Sequence, residues 1–258
     1  MKFIGRRKEL ETLKKSWTFS GLTPVPGITK QRQLDSFAVQ VSQNLNIPKL
    51  QVSEWLEYFT FLANQARGQK IVIVLDEISW MGSEDPDFLG QLKTAWDLYF
   101  SDNPELILIL CGSVSSWIEE NILASTGFVG RVSIDMIVDE LSIKESGEFW
   151  GSQKKKLSAC EKFKVLSVTG GIPKYLEEVI PSESAEDNIH RLCFQPNGLL
   201  FREFEQIFSD LFSKKAQTYR TLVEKLVHAP LILDEKGGSI SRYLEDLILA
   251  GFVQDDCT

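Results

Sequence analysis

The chain has 258 residues, of which 43% are hydrophobic and 25% charged, and its net charge is −8. This composition is ordinary for a globular protein and is enough for one large domain or two small ones. The acidic total argues against a protein that coats nucleic acid without specificity, although it leaves room for a local basic face. No apolar run approaches the ~20 residues of a membrane helix, so we expect no membrane partner.

The amino terminus and the cysteines predict a cytoplasmic protein. Met1 is followed by Lys2 and further basic residues, with no apolar stretch that would make a secretory signal. The cysteines lie far apart in the sequence, which indicates reduced thiols and no zinc site. The histidines are too distant from each other to predict a metal cluster.

Four segments precede the first clear strand. Residues 5–16 carry leucines on one face and basic residues on the rest, which predicts a short amphipathic helix. Residues 20–30 contain prolines and glycines without a period, so they predict a loop. Apolar residues at helical spacing predict two further helices, over residues 31–45 and 52–67.

The segment KIVIVLDEISWMG, residues 70–82, is an apolar run that ends in two adjacent acids. It does not alternate, which is typical of a strand buried on both faces. The carboxyl end of such a strand opens onto the crevice where α/β sheets bind ligands. There Asp76 could hold Mg²⁺ and Glu77 could orient or deprotonate a water molecule. The alternative is a plain polar end to a buried strand.

Further elements follow in the same half of the chain. Residues 83–87 predict a helix start with Asp85 as its cap and Pro86 in its first turn, and that helix continues to Tyr99. LILILCGS, residues 106–113, predicts a second buried strand with a polar tip. Residues 115–123 predict a helix, and the alternating RVSIDMIV, residues 131–138, predicts a third strand.

Helical patterns replace strands after about residue 140. They predict a helical subdomain with helices over residues 142–150, 157–168, 173–180, 184–193 and 200–212. In residues 216–253 a helix, an apolar run, a Gly-Gly turn and a helix that begins at Ser239 or Ser241 follow one another. Gly251 would end that helix, and a strand would follow. This order is the outline of a winged helix.

Five separated motifs resemble one family. FIGRRKEL at 3–10, KIVIVLDEISWM at 70–81, LILILCGSVSSWI at 106–118, FVGR at 128–131 and TGGIPKYLEEV at 169–179 occur in its order. Together they resemble the archaeal and bacterial AAA-type ATPases, which are P-loop NTPases close to the STAND class. The resemblance implies an α/β domain over 1–141, with a parallel sheet and helices on both its faces. It further implies a helical lid over 142–213 and a partial winged helix over 214–258.

The resemblance also implies roles for individual residues. Asp76 corresponds to the Walker B acid on the Mg²⁺ side, and Glu77 to the catalytic glutamate. Ser113 corresponds to the sensor of the γ-phosphate, and Arg131 to a trans-acting arginine or an internal brace. The segment that touches the adenine side of the nucleotide would contain Phe3, Ile4, Gly5 and Arg6. The lid helix that closes over the base would be opened by Gly170, Gly171 and Pro173.

The implied ligands are ATP and Mg²⁺, and the implied partners are less specific. A homo-oligomer is one possibility, and the winged helix could contact DNA or a protein. Arg242 and Tyr243 would open the recognition helix in the DNA case. Acidic residues crowd the same region and oppose phosphate contacts, so a protein contact is at least as well supported; they are Glu245, Asp246, Asp255 and Asp256.

The phosphate loop of that family is absent from this sequence. Its pattern G-x-x-x-x-G-K-[ST] occurs nowhere, and Lys30, which follows Gly27 in GITK, does not supply it. The resemblance places a missing strand, loop and helix of roughly 25 residues between about Trp17 and Thr18. That strand would be the central one, between the LILIL strand and the last strand.

The end of the chain is also shorter than the resemblance implies. A helix expected between PLILDE and KGGSISRYL is missing, and the chain stops where the wing hairpin should form. We therefore expect an ATPase-family protein that is impaired in hydrolysis. The alternatives are a non-catalytic protein- or DNA-binding regulatory module, or a degenerate gene remnant.

Overall fold

The computed structural model describes residues 16–23, 25, 27–113, 115–153, 157–203, 216–228, 238–249 and 253. The described residues form two compact units. The sheet unit contains residues 16–133 together with the described part of 210–258. The helical unit contains residues 134–203. Among these residues, none of the helices combines the length and the apolar character needed to cross a membrane.

The sheet has three parallel strands: β1 (Ser16–Ser20), β2 (Ile71–Asp76) and β3 (Leu106–Leu110). Their order is β1-β2-β3, so β2 lies in the middle. Ser20 pairs with Asp76, and Leu75 pairs with Leu110. The carboxyl ends of the three strands therefore meet at one edge of the sheet.

Helices of the sheet unit follow the strands in sequence. They are α1 (Lys30–Leu45), α2 (Trp55–Ala66), the single turn α3 (Ile78–Met81), α4 (Phe88–Leu98) and α5 (Ser115–Ile118). Thr29 caps α1 by accepting a hydrogen bond from the Arg32 N–H. Glu54 and Glu57 form a capping box at the start of α2. A 3-10 turn (Phe100–Asp102) follows α4, and a π-helical turn (Glu119–Leu123) follows α5.

Aromatic side chains dominate the core of the sheet unit. Phe37 of α1 stacks on Phe19 of β1 at a centroid distance of 4.7 Å and meets Trp55 edge-on at 5.2 Å. Phe59 and Phe88 extend this cluster across α2 and α4. All five side chains are fully buried. Aromatic pairs of this geometry contribute about 0.5–1.5 kcal/mol each beyond their area burial, so this cluster fixes the helices against the sheet.

Two further helices belong to the sheet unit, α10 (Ala216–His228) and α11 (Gly238–Leu249). They correspond to the two helices predicted for the winged helix. The hydroxyl of Tyr219 on α10 donates to the Asp246 carboxylate on α11. The Tyr219 and Tyr243 rings meet edge-on at 5.0 Å. The strand predicted after Gly251 lies outside the described residues apart from Val253, which is in neither a helix nor a strand.

The helical unit consists of short helices, most of which begin at a serine cap. Its elements are α6 (Ile143–Ser146), a 3-10 segment (Gly147–Gln153), α7 (Ala159–Thr169), α8 (Pro173–Glu177), α9 (Ala185–Ile189) and a π-helical turn (His190–Phe194). Residues 199–203 are helical as well. Ser142, Ser158 and Ser184 each accept a backbone N–H at a helix start. The predicted helical character is confirmed for the described residues, and residues 204–212 of the last predicted helix lie outside them.

One strand was not predicted, and one predicted strand does not form. Residues 16–20 form β1, although the sequence suggested a helix up to residue 16 and a loop from residue 20. Residues 132–140 form neither strand nor helix, although residues 131–138 alternate. Within the part of the chain that the structure describes, no strand lies along the outer edge of β3. An alternating segment without a neighbouring strand cannot pair its backbone, and Ile134 and Ile137 are 77% and 81% exposed.

Two smaller predictions concern the segments around β1 and α4. The position inferred for the missing strand, between about Trp17 and Thr18, falls inside β1. The N-cap position of α4 is held by Asp87 and not by Asp85, although the Asp85 carboxylate accepts the Asp87 N–H at 3.0 Å. The Asp85 side chain is buried, and its Oδ2 lies 3.1 Å from the ammonium of Lys30.

Candidate functional site

The two acids of LDEISWM lie at the carboxyl end of the central strand. Asp76 is the last residue of β2, and Glu77 follows it as the residue before the turn α3. The carbonyl of Asp76 accepts the Gly21 N–H at 3.0 Å, which ties the end of β2 to the loop after β1. Both acidic side chains are half-buried. This is the place where ligands bind in open parallel sheets.

The backbone of Glu77 adopts an unusual conformation. Its φ and ψ are 50° and 49°, in the left-handed region that residues with a Cβ rarely occupy. Such a conformation costs on the order of 1–2 kcal/mol and persists only where surrounding contacts hold it. Here the Glu77 carbonyl accepts the N–H groups of Trp80 and Met81. These two bonds hold the Glu77 backbone in this conformation.

Close packing against Gly21 holds this turn in place. A Cβ on Gly21 would lie 2.7 Å from the Glu77 carbonyl oxygen and 2.9 Å from the Met81 nitrogen. Contacts this short with backbone atoms cannot be relieved by a side-chain rotation. Gly21 is therefore required for the approach of the β1 loop to the Asp76-Glu77 turn, and the sequence analysis did not identify it.

Ser113 contacts Glu77. Its hydroxyl lies 3.3 Å from each carboxylate oxygen of Glu77, and its N–H donates to the same carboxylate at 3.4 Å. Ser113 is exposed at the tip that follows β3. The structure therefore brings together three residues that the sequence analysis had selected, Asp76, Glu77 and Ser113.

Cys111 is a site residue that the sequence analysis quoted within CGS without giving it a role. Its thiol donates to Asp76 Oδ1 at 3.3 Å. Burial, and after it this hydrogen bond, raise the pKa of the Cys111 thiol to about 12. The thiol is therefore protonated at neutral pH, which keeps it a hydrogen-bond donor to Asp76.

The lysine closest to a phosphate-loop pattern is held by carboxylates. The Lys30 ammonium lies 2.7 Å from Glu54 Oε2 and 3.1 Å from Asp85 Oδ2. The hydrogen bond with Glu54 is the main cause that raises the pKa of Lys30 and lowers the pKa of Glu54. Lys30 therefore braces α1 against the segments that precede α2 and α4. Among the described residues, its ammonium faces these two carboxylates and not a phosphate-binding loop.

Arg131 is held by an acidic side chain of the same unit. Its Nε and Nη2 donate to the two carboxylate oxygens of Asp97 at 2.7 and 2.9 Å. This bond, followed by a second one from Lys93, lowers the pKa of Asp97 far below its usual range. A bidentate pair of this kind suits the internal brace among the two roles that the resemblance implies. Action in trans stays a prediction.

The remaining predicted site residues belong to the helical unit or lie outside the described residues. Gly170, Gly171 and Pro173 belong to the helical unit, where Pro173 begins α8. The Gly171 N–H donates to the Glu140 carboxylate at 2.8 Å, and the Gly171 carbonyl accepts the Leu141 N–H at 2.9 Å. A Cβ on Gly171 would lie 2.1 Å from the Leu141 oxygen, so this close approach requires glycine. Phe3, Ile4, Gly5 and Arg6 lie outside the described residues.

The residues at the end of β2 fit a Mg²⁺ ion that arrives with a nucleotide. Mg²⁺ in such sites takes one or two carboxylates and completes its shell with water and substrate phosphates. Asp76 supplies one carboxylate, with Oδ1 engaged by Cys111. Among the described residues, no group of three or more His, Cys, Asp or Glu could hold a metal ion. Asp76 would thus bind Mg²⁺ only together with phosphate oxygens.

Comparisons with known proteins support the fold. No family model and no curated protein matches the chain. Among solved structures, the Walker-type ATPase paby2304 of Pyrococcus abyssi matches 94% of this chain and 80% of its own, with a TM-score of 0.61 and 15% sequence identity. Two variants of Thermotoga maritima RuvB match 98% of this chain and 90% of theirs at 16% identity. Their TM-scores are lower, at 0.45 and 0.42.

The first of these likenesses, at 15% identity, shows the fold alone. Together with the parallel sheet, it shows that the chain has the α/β fold of a Walker-type, P-loop ATPase. The predicted fold class is confirmed to that extent. The lid and the winged helix stay predictions.

Proposed function

We propose that the chain binds ATP with Mg²⁺ at the carboxyl end of β2 and is impaired in hydrolysing it. The observation that carries this proposal is the arrangement of Asp76, Glu77 and Ser113 at one edge of a sheet of the Walker-type ATPase fold. In the proposed site Asp76 holds the ion, and Glu77 orients the attacking water. Ser113 fixes the Glu77 carboxylate and stands near the γ-phosphate. ATPases of the AAA/STAND type are the class that this arrangement fits best.

Impaired hydrolysis follows from the missing phosphate loop. In P-loop NTPases the loop supplies backbone N–H groups and a lysine to the phosphates, and a hydroxyl to Mg²⁺. This sequence has no GK[ST], and the ammonium of Lys30 is already paired with two carboxylates. With few phosphate ligands, the transition state for phosphoryl transfer would gain little stabilisation. Binding without appreciable turnover is the expected outcome.

A titration with a fluorescent ATP analogue tests the binding step. We expect binding in Mg²⁺ that weakens by about tenfold, or ~1.4 kcal/mol, in EDTA. Asp76→Ala should cause a similar loss in the presence of Mg²⁺. The matched control is Asp102→Ala, an exposed acid before β3 at the opposite end of the sheet, which should bind like the unaltered chain. Equal affinities of the Asp76→Ala and Asp102→Ala variants would overturn the proposed site.

A phosphate-release assay tests the hydrolysis step separately. With saturating Mg²⁺ and ATP, we expect no release above that of a Glu77→Gln variant. Release that disappears in Glu77→Gln would show an active ATPase, and the claim of impairment would then be wrong.

The alternative is a regulatory module that binds a protein through α10 and α11. A protein contact is favoured over DNA binding, because the Arg242 guanidinium is already engaged: it donates to Glu120 at 2.9 Å. Asp246, on the same helix, is the acceptor of the Tyr219 hydroxyl. A negative helix surface opposes phosphate contacts. Fluorescence anisotropy with labelled duplex DNA at low salt should show no binding, and binding that is lost in Arg242→Ala would contradict this view.

Homo-oligomer formation and the cytoplasmic location stay predictions.

A further inference from the structure

Cys111 contacts the Asp76-Glu77 segment through three separate groups. Its N–H donates to the Leu75 carbonyl at 3.0 Å, and its carbonyl accepts the Ile78 N–H at 3.1 Å. These two bonds lie on either side of the two acids and fix the backbone of Cys111 against them. The third contact is the thiol, which donates to Asp76 Oδ1 at 3.3 Å.

The alternative acceptor for the thiol is weaker. The Leu75 carbonyl oxygen lies 3.8 Å from the sulfur, at the long end of hydrogen-bonding range for a thiol. Asp76 Oδ1 is closer and carries negative charge, and hydrogen bonds to ionised acceptors are about twice as strong as neutral ones. The S–H group therefore points at the carboxylate.

We propose that Cys111 is a positioning residue that fixes the orientation of the Asp76 carboxylate. One carboxylate oxygen is engaged by the thiol, so rotation about the terminal bond of Asp76 is restricted. The other oxygen, Oδ2, is then presented for a metal ion. Because a thiol is a weak donor, it orients the carboxylate without taking up much of its charge. The metal-binding part of this inference rests on the proposed function.

Cys111 and Ser113 each hold one of the two acidic side chains. Ser113 holds the Glu77 carboxylate, and Cys111 holds that of Asp76. Gly112 stands between them, and a Cβ there would lie in ordinary contact with Glu77 Oε2 at 3.6 Å. The tripeptide CGS after β3 thus orients both side chains that follow β2, which gives its polar tip a role before any nucleotide is bound.

Infrared spectroscopy of the full chain tests the contact without any ligand. The S–H stretch of Cys111, isolated as the difference between the chain and Cys111→Ser, should lie at the lower frequency of a hydrogen-bonded thiol. It should move to higher frequency in Asp76→Ala and stay unchanged in the control Glu77→Gln. A band at the frequency of a free thiol, or one that ignores Asp76→Ala while the protein remains folded, would overturn the proposal.

The Mg²⁺ dependence of nucleotide binding tests whether the orientation of Asp76 by Cys111 affects metal binding. In titrations of Mg²⁺ at fixed fluorescent ATP analogue, Cys111→Ala should raise the half-saturating Mg²⁺ concentration by about threefold to tenfold. Cys111→Ser, which keeps a donor, should restore most of the loss. An unchanged Mg²⁺ requirement in Cys111→Ala would contradict the role. If the unaltered chain shows no Mg²⁺-dependent binding, the proposed function fails, and the infrared band still decides whether Cys111 orients Asp76.

Discussion

Replacement of Lys30 by methionine tests whether this lysine stabilises the fold or binds phosphate. Methionine keeps much of the apolar stem and removes the ammonium. The Asp85 side chain, which is only 4% exposed, then loses the charge that lies 3.1 Å from its Oδ2. Its Oδ1 keeps the Asp87 N–H at 3.0 Å. The main consequence is an uncompensated carboxylate in the protein interior.

The expected cost follows from this geometry. Removing one partner of a buried ion pair costs about 3–5 kcal/mol. The Lys30 side chain is 28% exposed, and Asp85 keeps one hydrogen bond, so water and that bond relieve part of the penalty. We therefore expect Lys30→Met to lower the free energy of unfolding by about 2–3 kcal/mol. Asp85→Asn in the same chain should recover most of it, because the buried charge is removed.

Urea denaturation followed by tryptophan fluorescence measures these differences. The double-mutant cycle of Lys30→Met and Asp85→Asn should give a coupling energy above about 1 kcal/mol. Lys30→Met should leave affinity for the fluorescent ATP analogue unchanged. The reasoning is refuted if Lys30→Met is as stable as the unaltered chain, or if it lowers nucleotide affinity tenfold without any effect on stability.

Three further predictions concern the site and its supports. Glu77→Gly should be more stable than Glu77→Ala by about 1 kcal/mol in urea denaturation, because glycine relieves the left-handed strain; equal stability would show that the strain is negligible. Gly21→Ala should lose on the order of 1–3 kcal/mol through the clash with the Glu77 carbonyl, whereas Gly90→Ala, in a helix with open space around it, should gain about 0.5–1 kcal/mol. Arg131→Ala should be less stable than the unaltered chain at neutral pH, because Arg131 lowers the pKa of Asp97. That difference should begin to shrink as the pH falls below about 4, and it should be lost only well below that, where the lowered pKa of Asp97 lets its carboxylate be protonated; a difference that does not shrink in acid would refute the ion pair as its cause.

The sequence pattern identified the elements that are buried on both faces. IVIVL and LILIL form β2 and β3, because continuous apolar runs of this length fit a covered parallel sheet. SWTFS was missed because its ends are polar and only Phe19 is buried within it. Its strand character comes from pairing with β2, which is a tertiary effect. The strand predicted over RVSIDMIV does not form, because an alternating pattern becomes a strand only beside a partner strand.

The two acids of the candidate site could be predicted from the sequence, whereas the residues that hold them in place were harder to predict. Asp76 and Glu77 could be found because they follow a recognisable strand, and Ser113 because it ends another. Cys111 acts through a side chain whose direction depends on the register between β2 and β3. The pairing of Lys30 with Asp85 joins residues 55 positions apart in sequence, so no local pattern could show it.

Ligand-linked thermal unfolding tests the central claim most directly, because it asks at once whether the chain folds and whether Mg²⁺ and ATP bind it. A ligand at 100 times its dissociation constant stabilises the folded state by about 2.7 kcal/mol. We predict a cooperative transition whose midpoint rises with Mg²⁺ and ATP together, rises less with ATP in EDTA, and does not respond to Mg²⁺ in Asp76→Ala. A cooperative transition whose midpoint does not change with Mg²⁺ and ATP would contradict the account. It would show that the Asp76-Glu77 turn is a structural feature that binds neither ligand.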